Sequence, residues 1–349
     1  MAVTANQRIC IVVLGMHRSG TSALTRVLSL LGADLPANVM GPGEANLAGH
    51  WEPDRLVRIH DQMLEEAGSR WDDWRAFDLS ALPGDRLQAY RTAIVDCLRD
   101  EYGEAPLFVL KDPRVARFVP LYAEILASLD IEAHYALCLR NPRAVTTSLI
   151  ARDGSTPGSA MLLWLRHVLD AEIATRHSER CIASYEDLMA DWRKVVSSIT
   201  ESLDIRWPRD VQAVASSIDS FLAPDLRHHD AGAEELRDRI ETAGWVRAVH
   251  DAMTSLIRDP LATGALETLD RVRGEFYSAS EIFGAATFPE LLARERRVLE
   301  IDQERWRELQ RAEAAEAALV AIQNSRSWRI TAPIRAARSR IGRLENQRP

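Results

Sequence analysis

Ile9-Cys10-Ile11-Val12-Val13-Leu14 runs directly into Gly15-Met16-His17-Arg18-Ser19-Gly20-Thr21-Ser22, and this junction decides the fold. The first six residues are continuously apolar and rich in β-branched side chains, the pattern of a strand buried on both faces of a parallel sheet. From Thr21 to Leu31, apolar Ala23, Leu24, Val27, Leu28 and Leu31 recur at helical spacing, and Gly32 closes the segment. The opening unit reads as strand, tight turn, helix. Such a unit aims backbone N–H groups and the positive end of a helix dipole at one spot, where a phosphate fits. Gly15 and Gly20 allow the turn and the close approach of an anion. Arg18 adds a charged fork, while Thr21 and Ser22 bring hydroxyls. Helix capping alone is the plainer use of the same residues.

The alternation recurs along the chain. Leu107 to Leu110 reads as a second strand, Val115 to Leu129 as a helix, His134 to Leu139 as a third strand, and Pro142 to Ala151 as a helix start. Cys181 to Ser184 is a short fourth strand, followed by a helix through Leu203. Strands and helices in this order require crossover connections, so the expected class is α/β with a mostly parallel sheet and a C-terminal helical extension. The expected divisions are an α/β domain over 1–230, a helical extension over 231–288, a long polar helix over 289–324 and a basic tail over 325–349. In the long helix Leu292, Leu299 and Trp306 stand seven apart and Leu309 follows, but Glu313 and Glu316 interrupt the seam. A surface helix and a coiled coil joining copies of the chain both fit that pattern.

Composition bounds the function. At 349 residues, with 46% hydrophobic and 27% charged side chains, the chain has the makeup of a globular protein with a full core. A formal charge of −8 excludes a generally basic nucleic-acid binder, although the tail holds seven arginines against one glutamate. The only lysines are Lys111 and Lys194, so a lysine inside a motif is conspicuous. Cys10, Cys97, Cys138 and Cys181 are scattered without a CxxC pair and read as buried reduced thiols. His228 and His229 have no third ligand at helical or turn spacing, so no metal is expected. Neither a secretory signal nor a membrane span is visible, and the expected location is cytoplasmic.

The loop shares two glycines and a terminal serine with a Walker A loop, but Thr21 stands where the lysine would follow the second glycine. That lysine serves the β- and γ-phosphates of nucleoside triphosphates, so ATP or GTP chemistry is disfavoured. With its cation three residues before Thr21, His17-Arg18-Ser19-Gly20-Thr21-Ser22 resembles the 5′-phosphosulfate loop of the sulfotransferase superfamily, in the form of tyrosylprotein-type and bacterial members. The resemblance covers about the first 230 residues. It implies a P-loop-NTPase-like three-layer fold and 3′-phosphoadenosine 5′-phosphosulfate (PAPS) as co-substrate.

Further motifs carry the same resemblance. Arg140 follows the third strand, Ser148 lies eight residues on, and the pair is similar to the family's 3′-phosphate site. Lys111-Asp112-Pro113-Arg114 resembles the family's Lys-Asp-Pro element, whose lysine stabilises charge as sulfate leaves. A compact ammonium suits one developing oxyanion. A base is needed for the acceptor hydroxyl, and Glu44, Glu52, His60 and Asp61 are candidates. Gly49-His50-Trp51-Glu52 resembles a Gly-aromatic-Glu stretch of bacterial relatives, which favours Glu52, with His60 second. Tyr185 in Tyr185-Glu186-Asp187 matches an element whose tyrosine holds adenine, and a core aromatic is an equal reading. Arg227, His228 and His229 are remoter candidates for donor contact.

The expected activity is sulfuryl transfer to a hydroxyl, with Arg18 and Lys111 stabilising charge and Glu52 accepting the proton. Ser325-Arg326-Ser327-Trp328-Arg329-Ile330-Thr331-Ala332-Pro333 resembles a tail of bacterial surface-polysaccharide enzymes, which tilts the acceptor toward a glycan or glycolipid. The same basic tail suits peripheral contact with the inner membrane face, and equally a solvated tail. The rivals are a kinase using ATP and magnesium through Asp112, and a non-catalytic scaffold in glycan assembly.

Overall fold

A computed structural model describes residues 7–41, 49–223 and 244–345, without the side chains of 288, 289, 291, 292, 295 and 339–345. Glu44, Arg227, His228, His229 and the Leu292 side chain lie outside it.

Four strands form one parallel sheet in the order β2-β1-β3-β4: β1 (Arg8–Leu14), β2 (Leu107–Lys111), β3 (Ile131–Leu139) and β4 (Arg180–Ser184). Helix α1 (Thr21–Leu30) follows β1, and α2 (Asp54–Glu66) and α3 (Gly84–Tyr102) precede β2. A 3-10 turn (Pro113–Arg117) and α4 (Val119–Ser128) lead into β3; α5 (Pro142–Asp153) and α6 (Pro157–Thr175) connect β3 to β4. After β4 come α7 (Tyr185–Ala190), α8 (Trp192–Ser202) and α9 (Val211–Phe221).

Strand alternation sends side chains of β1 into two cores. Cys10, Val12 and Leu14 pack with α2, α3, α4 and α6, while Ile11 and Val13 pack with α1, α8 and α9. Covering both faces explains why β1 reads as an unbroken apolar run. It also leaves the C-terminal strand ends as the edge where loops gather. The four cysteines are buried and free; burial pushes the Cys97 thiol up to about 11 and Cys138 to about 12, which keeps them protonated.

The expected division at 230 does not separate two cores. The compact first unit runs Met1–Glu281. Helix Gly244–Arg258 contributes Val246, Val249, Met253 and Leu256, and the following helix Leu269, Val272 and Phe276, to the core that holds Cys10 and Val12. An apolar helix face needs a partner, and here it packs against α6 and β4. The expected long helix is longer, running Thr263–Asn324, and its residues from Ile282 onward belong to the second unit, Ile282–Pro349. In that unit Leu299, Trp306 and Leu309 are exposed. The basic tail forms two helices, Arg326–Ile330 and Ala332–Glu345, with Arg335 lying 3.6 Å over the Trp328 ring. No helix among the described residues is long and apolar enough to cross a membrane.

Candidate active site

The β1–α1 turn is built as its glycines require. Gly15 has φ 151° and Gly20 φ 89°, and Arg18 between them adopts the left-handed conformation at φ 68°. A Cβ on Gly20 would stand 2.2 Å from Tyr185 Cδ2, and one on Gly15 2.9 Å from Cys138 O. The turn is thus pressed against β3 on one side and against the first residue of α7 on the other.

Residues far apart in sequence meet here. Arg18 Nε donates to Ser148 Oγ at 2.7 Å, and Arg140 Nη1 donates to the Arg18 carbonyl at 2.8 Å. The Arg140 guanidinium lies 4.3 Å over the Tyr185 ring, whose edge covers Gly20. Ser148 is brought to Arg18 by α5, whose N-terminus is capped by Asn141 two residues before Arg143. Arg140 Nε and the buried Ser19 Oγ have no partner among the described residues. Thr21 is buried and begins α1. The His17 ring turns the other way, meeting Trp71 edge-on at 4.8 Å and facing His167 at 6.4 Å. His17 therefore offers this cluster its backbone, not its imidazole.

A second cluster stands at the end of β2. Lys111 and Glu52 are 2% and 4% exposed and hydrogen-bonded to each other. The Lys111 ammonium also donates to His50 O at 3.0 Å and to Ser22 Oγ at 3.2 Å, which ties it to the β1–α1 turn. Burial is the largest influence on Glu52 and raises its pKa, with Lys111 pulling against it. Asp112 Oδ1 accepts from the Arg114 backbone and from Arg114 Nη1, both at 3.0 Å, and Oδ2 meets His60 Nδ1 at 2.7 Å. Burial works to raise Asp112, but the Arg114 charge and the His60 hydrogen bond outweigh it and hold the carboxyl well below its usual range.

The candidate bases are now distinguishable. Glu52 contacts Lys111 at the strand end. His60 is fully buried, with Nδ1 on Asp112 and Nε2 2.6 Å from Tyr122 Oη, so both ring nitrogens are engaged. Its setting is that of a residue that positions Asp112. Asp61 is bonded to Arg114 Nε at 2.6 Å. Among the described residues no three His, Cys, Asp or Glu side chains are grouped to hold a metal.

Sequence reasoning missed Arg114 as a link between Asp61 and Asp112, and it missed Trp71, His167 and Arg117 beside the loop. Arg114 stands in the Lys111-Asp112-Pro113-Arg114 motif with no role read for it there, while Trp71, His167 and Arg117 stand in no motif. Their contacts join segments distant in sequence, which local pattern does not report.

Residues 10–209, more than half of the chain, match the sequence model of the sulfotransferase family. A sulfotransferase domain from the Synechococcus PCC 7002 olefin synthase is similar at 20% identity, over 67% of this chain and 84% of that one, with a TM-score of 0.38. A sulfotransferase domain from the curacin biosynthetic pathway is similar at 19% identity, over 58% of this chain and 75% of that one, with a TM-score of 0.34. No curated protein matches the sequence. The chain belongs to the sulfotransferase family, within the superfamily of PAPS-dependent enzymes.

Proposed function

We propose that this enzyme transfers the sulfuryl group of PAPS to a hydroxyl acceptor, a glycan or glycolipid, at the C-terminal strand ends of a P-loop-NTPase-like three-layer fold. The observation that carries the reading is the contact of Arg18 with Ser148 and of Arg140 with the Arg18 carbonyl. Two patterns about 120 residues apart in sequence meet there, the arrangement that a nucleotide phosphorylated at both ends would require. The geometry supports the fit: Ser19 Oγ and Arg140 Nε are buried without partners among the described residues, and Gly20 leaves no room for a Cβ.

Gly15, His17, Ser19, Gly20, Thr21 and Ser22 would hold the 5′-phosphosulfate with Arg18, chiefly through the backbone of the turn. Arg140 and Ser148 would hold the 3′-phosphate, and Tyr185 would lie against the adenine. The donor supplies a sulfur centre at which the bond to the acceptor oxygen forms as the bond to the 5′-phosphate oxygen breaks. Glu52 takes the acceptor's proton, and its raised pKa suits that task. Lys111 and Arg18 offset negative charge on the leaving phosphate and the moving group. The polysaccharide-enzyme-like tail is what favours a glycan or glycolipid.

Both Asp112 oxygens are engaged by Arg114 and His60, which disfavours a magnesium-binding role for this carboxylate. A melting assay tests the choice. 3′-Phosphoadenosine 5′-phosphate (PAP) without magnesium is expected to raise the melting temperature more than ATP with magnesium does. Greater stabilisation by ATP and magnesium would favour a kinase. Incubation with labelled PAPS and host polysaccharide, lipid and peptide fractions then identifies the acceptor by the fraction that gains label.

A further inference from the structure

On the other side of the β1–α1 turn lies a set of buried polar groups that the reaction above does not use. Arg117, in the 3-10 turn after β2, is 7% exposed. Its Nη1 donates to Ser69 Oγ at 3.1 Å and to Arg70 O at 3.4 Å, while Nε and Nη2 have no partner among the described residues. Three carboxylates act on it through space, but all are committed elsewhere. Asp73 is bonded to Ser69 and Arg75, Asp170 to Arg166 and Tyr277, and Asp72 to Arg70.

The turn that carries Arg117 packs on α6. There His167 is fully buried; its Nδ1 donates to Leu163 O at 3.0 Å, and its Nε2 is left as an acceptor without a partner among the described residues. The His17 ring meets it edge-on at 6.4 Å, with Nε2 likewise unpartnered among those residues. Burial and then the charges of Arg117, Arg166 and Arg114 lower His167 to about 3, so it is neutral at ordinary pH. Burial, Arg114 and Arg152 likewise keep His17 neutral.

Buried cations are normally paired and buried polar atoms normally satisfied, and both rules fail together here. The missing group must offer an anionic oxygen to Arg117 and an O–H to His167 Nε2. A carboxylate beside a hydroxyl has both, and so does a hydrogen phosphate. We propose that Arg117, His167 and His17 form an acceptor subsite for an acidic group, so that the preferred acceptor is a hydroxyl compound bearing a carboxylate or phosphate near the hydroxyl. The inference rests on the sulfotransferase reading and adds the chemical class of its acceptor.

The test follows the melting temperature of the full chain with and without saturating PAP, on adding glucuronate, inorganic phosphate, or sodium chloride at matched ionic strength. Wild type is expected to gain about 2–4 °C from glucuronate or phosphate beyond the chloride control. Arg117→Met and His167→Leu are expected to lose that gain. Each substitution removes partnered as well as unpartnered nitrogens, so each variant's gain is read against its own melting temperature without the probes. A response to glucuronate alone assigns a sugar carboxylate, and to phosphate alone a phosphorylated acceptor. No gain over chloride in wild type, or an undiminished gain in both variants, overturns the subsite. A nucleotide that fails to stabilise the protein counts instead against the donor site, and the nucleotide-free arms still decide the subsite.

Discussion

Arg18, Arg140, Ser148 and Tyr185 at one strand end, and Lys111, Glu52, Arg114 and Asp112 at the next, use the same cationic chemistry in opposite ways. In the first cluster Arg18 Nε meets a hydroxyl, and the Arg140 guanidinium meets a backbone carbonyl and an aromatic face. In the second each cation meets a carboxylate: Lys111 on Glu52, Arg114 on Asp112 and Asp61. Neutral partners position a cation without cancelling its charge. Carboxylate partners cancel charge inside the protein and set which group holds a proton. The first arrangement suits binding an anion, and the second suits moving a proton beside one.

The contrast is sharpest in rate. Glu52→Gln is expected to lower kcat by about 10²–10⁴-fold while changing PAP affinity less than about twofold, as steady-state rates and calorimetry would read. In wild type, kcat/KM falls as pH drops through the Glu52 pKa, because a base must be ionised. Burial raises that pKa, so the acid limb should lie above the ordinary glutamate value of about 4.3. A limb at or below that value, or loss of PAP affinity in Glu52→Gln, would erase the division between the two clusters.

Stability should separate them next. Lys111→Met leaves buried Glu52 with only the Arg114 guanidinium, 3.9 Å away, among its described cations, and is expected to cost about 3–5 kcal/mol in urea unfolding. Arg140→Met removes a partly buried group that bonds a carbonyl and lies over the Tyr185 ring, with no carboxylate left behind by the described contacts, and is expected to cost under about 1.5 kcal/mol. Comparable losses in both would mean that the first cluster is a structural network.

Below the Lys111 effect lies that of Gly20→Ala, whose Cβ must displace the Tyr185 ring and sit at φ 89°. About 1–3 kcal/mol of stability should be lost, with PAP affinity falling too. Full retention of both would show that Tyr185 does not hold the turn.

The legible part of the fold was what local pattern encodes. The run Ile9–Leu14, the glycine turn and the helical spacing after Thr21 all appear where the sequence places them, because a strand buried on both faces leaves an unmistakable apolar signature. Arg140 and Ser148 could be paired by their eight-residue spacing, which α5 converts into two turns of helix. Glu52 with Lys111 and His60 with Asp112 are joined across 59 and 52 residues, and no periodicity reports such a contact. Helix Gly244–Arg258 was readable as a helix but not as part of the core, since an amphipathic pattern shows that a face is buried without showing against what. Arg117 and His167 lie on no motif and became visible only as donors and acceptors without partners.

The central claim is that the two anion sites grip one nucleotide. Calorimetric titration with PAP and with 5′-AMP, which lacks the 3′-phosphate, in wild type and Arg140→Ala tests it most directly. Wild type should bind PAP about 10–100-fold more tightly than 5′-AMP, and the preference should vanish in Arg140→Ala. Equal affinities in wild type, or a preference that survives the substitution, would contradict it.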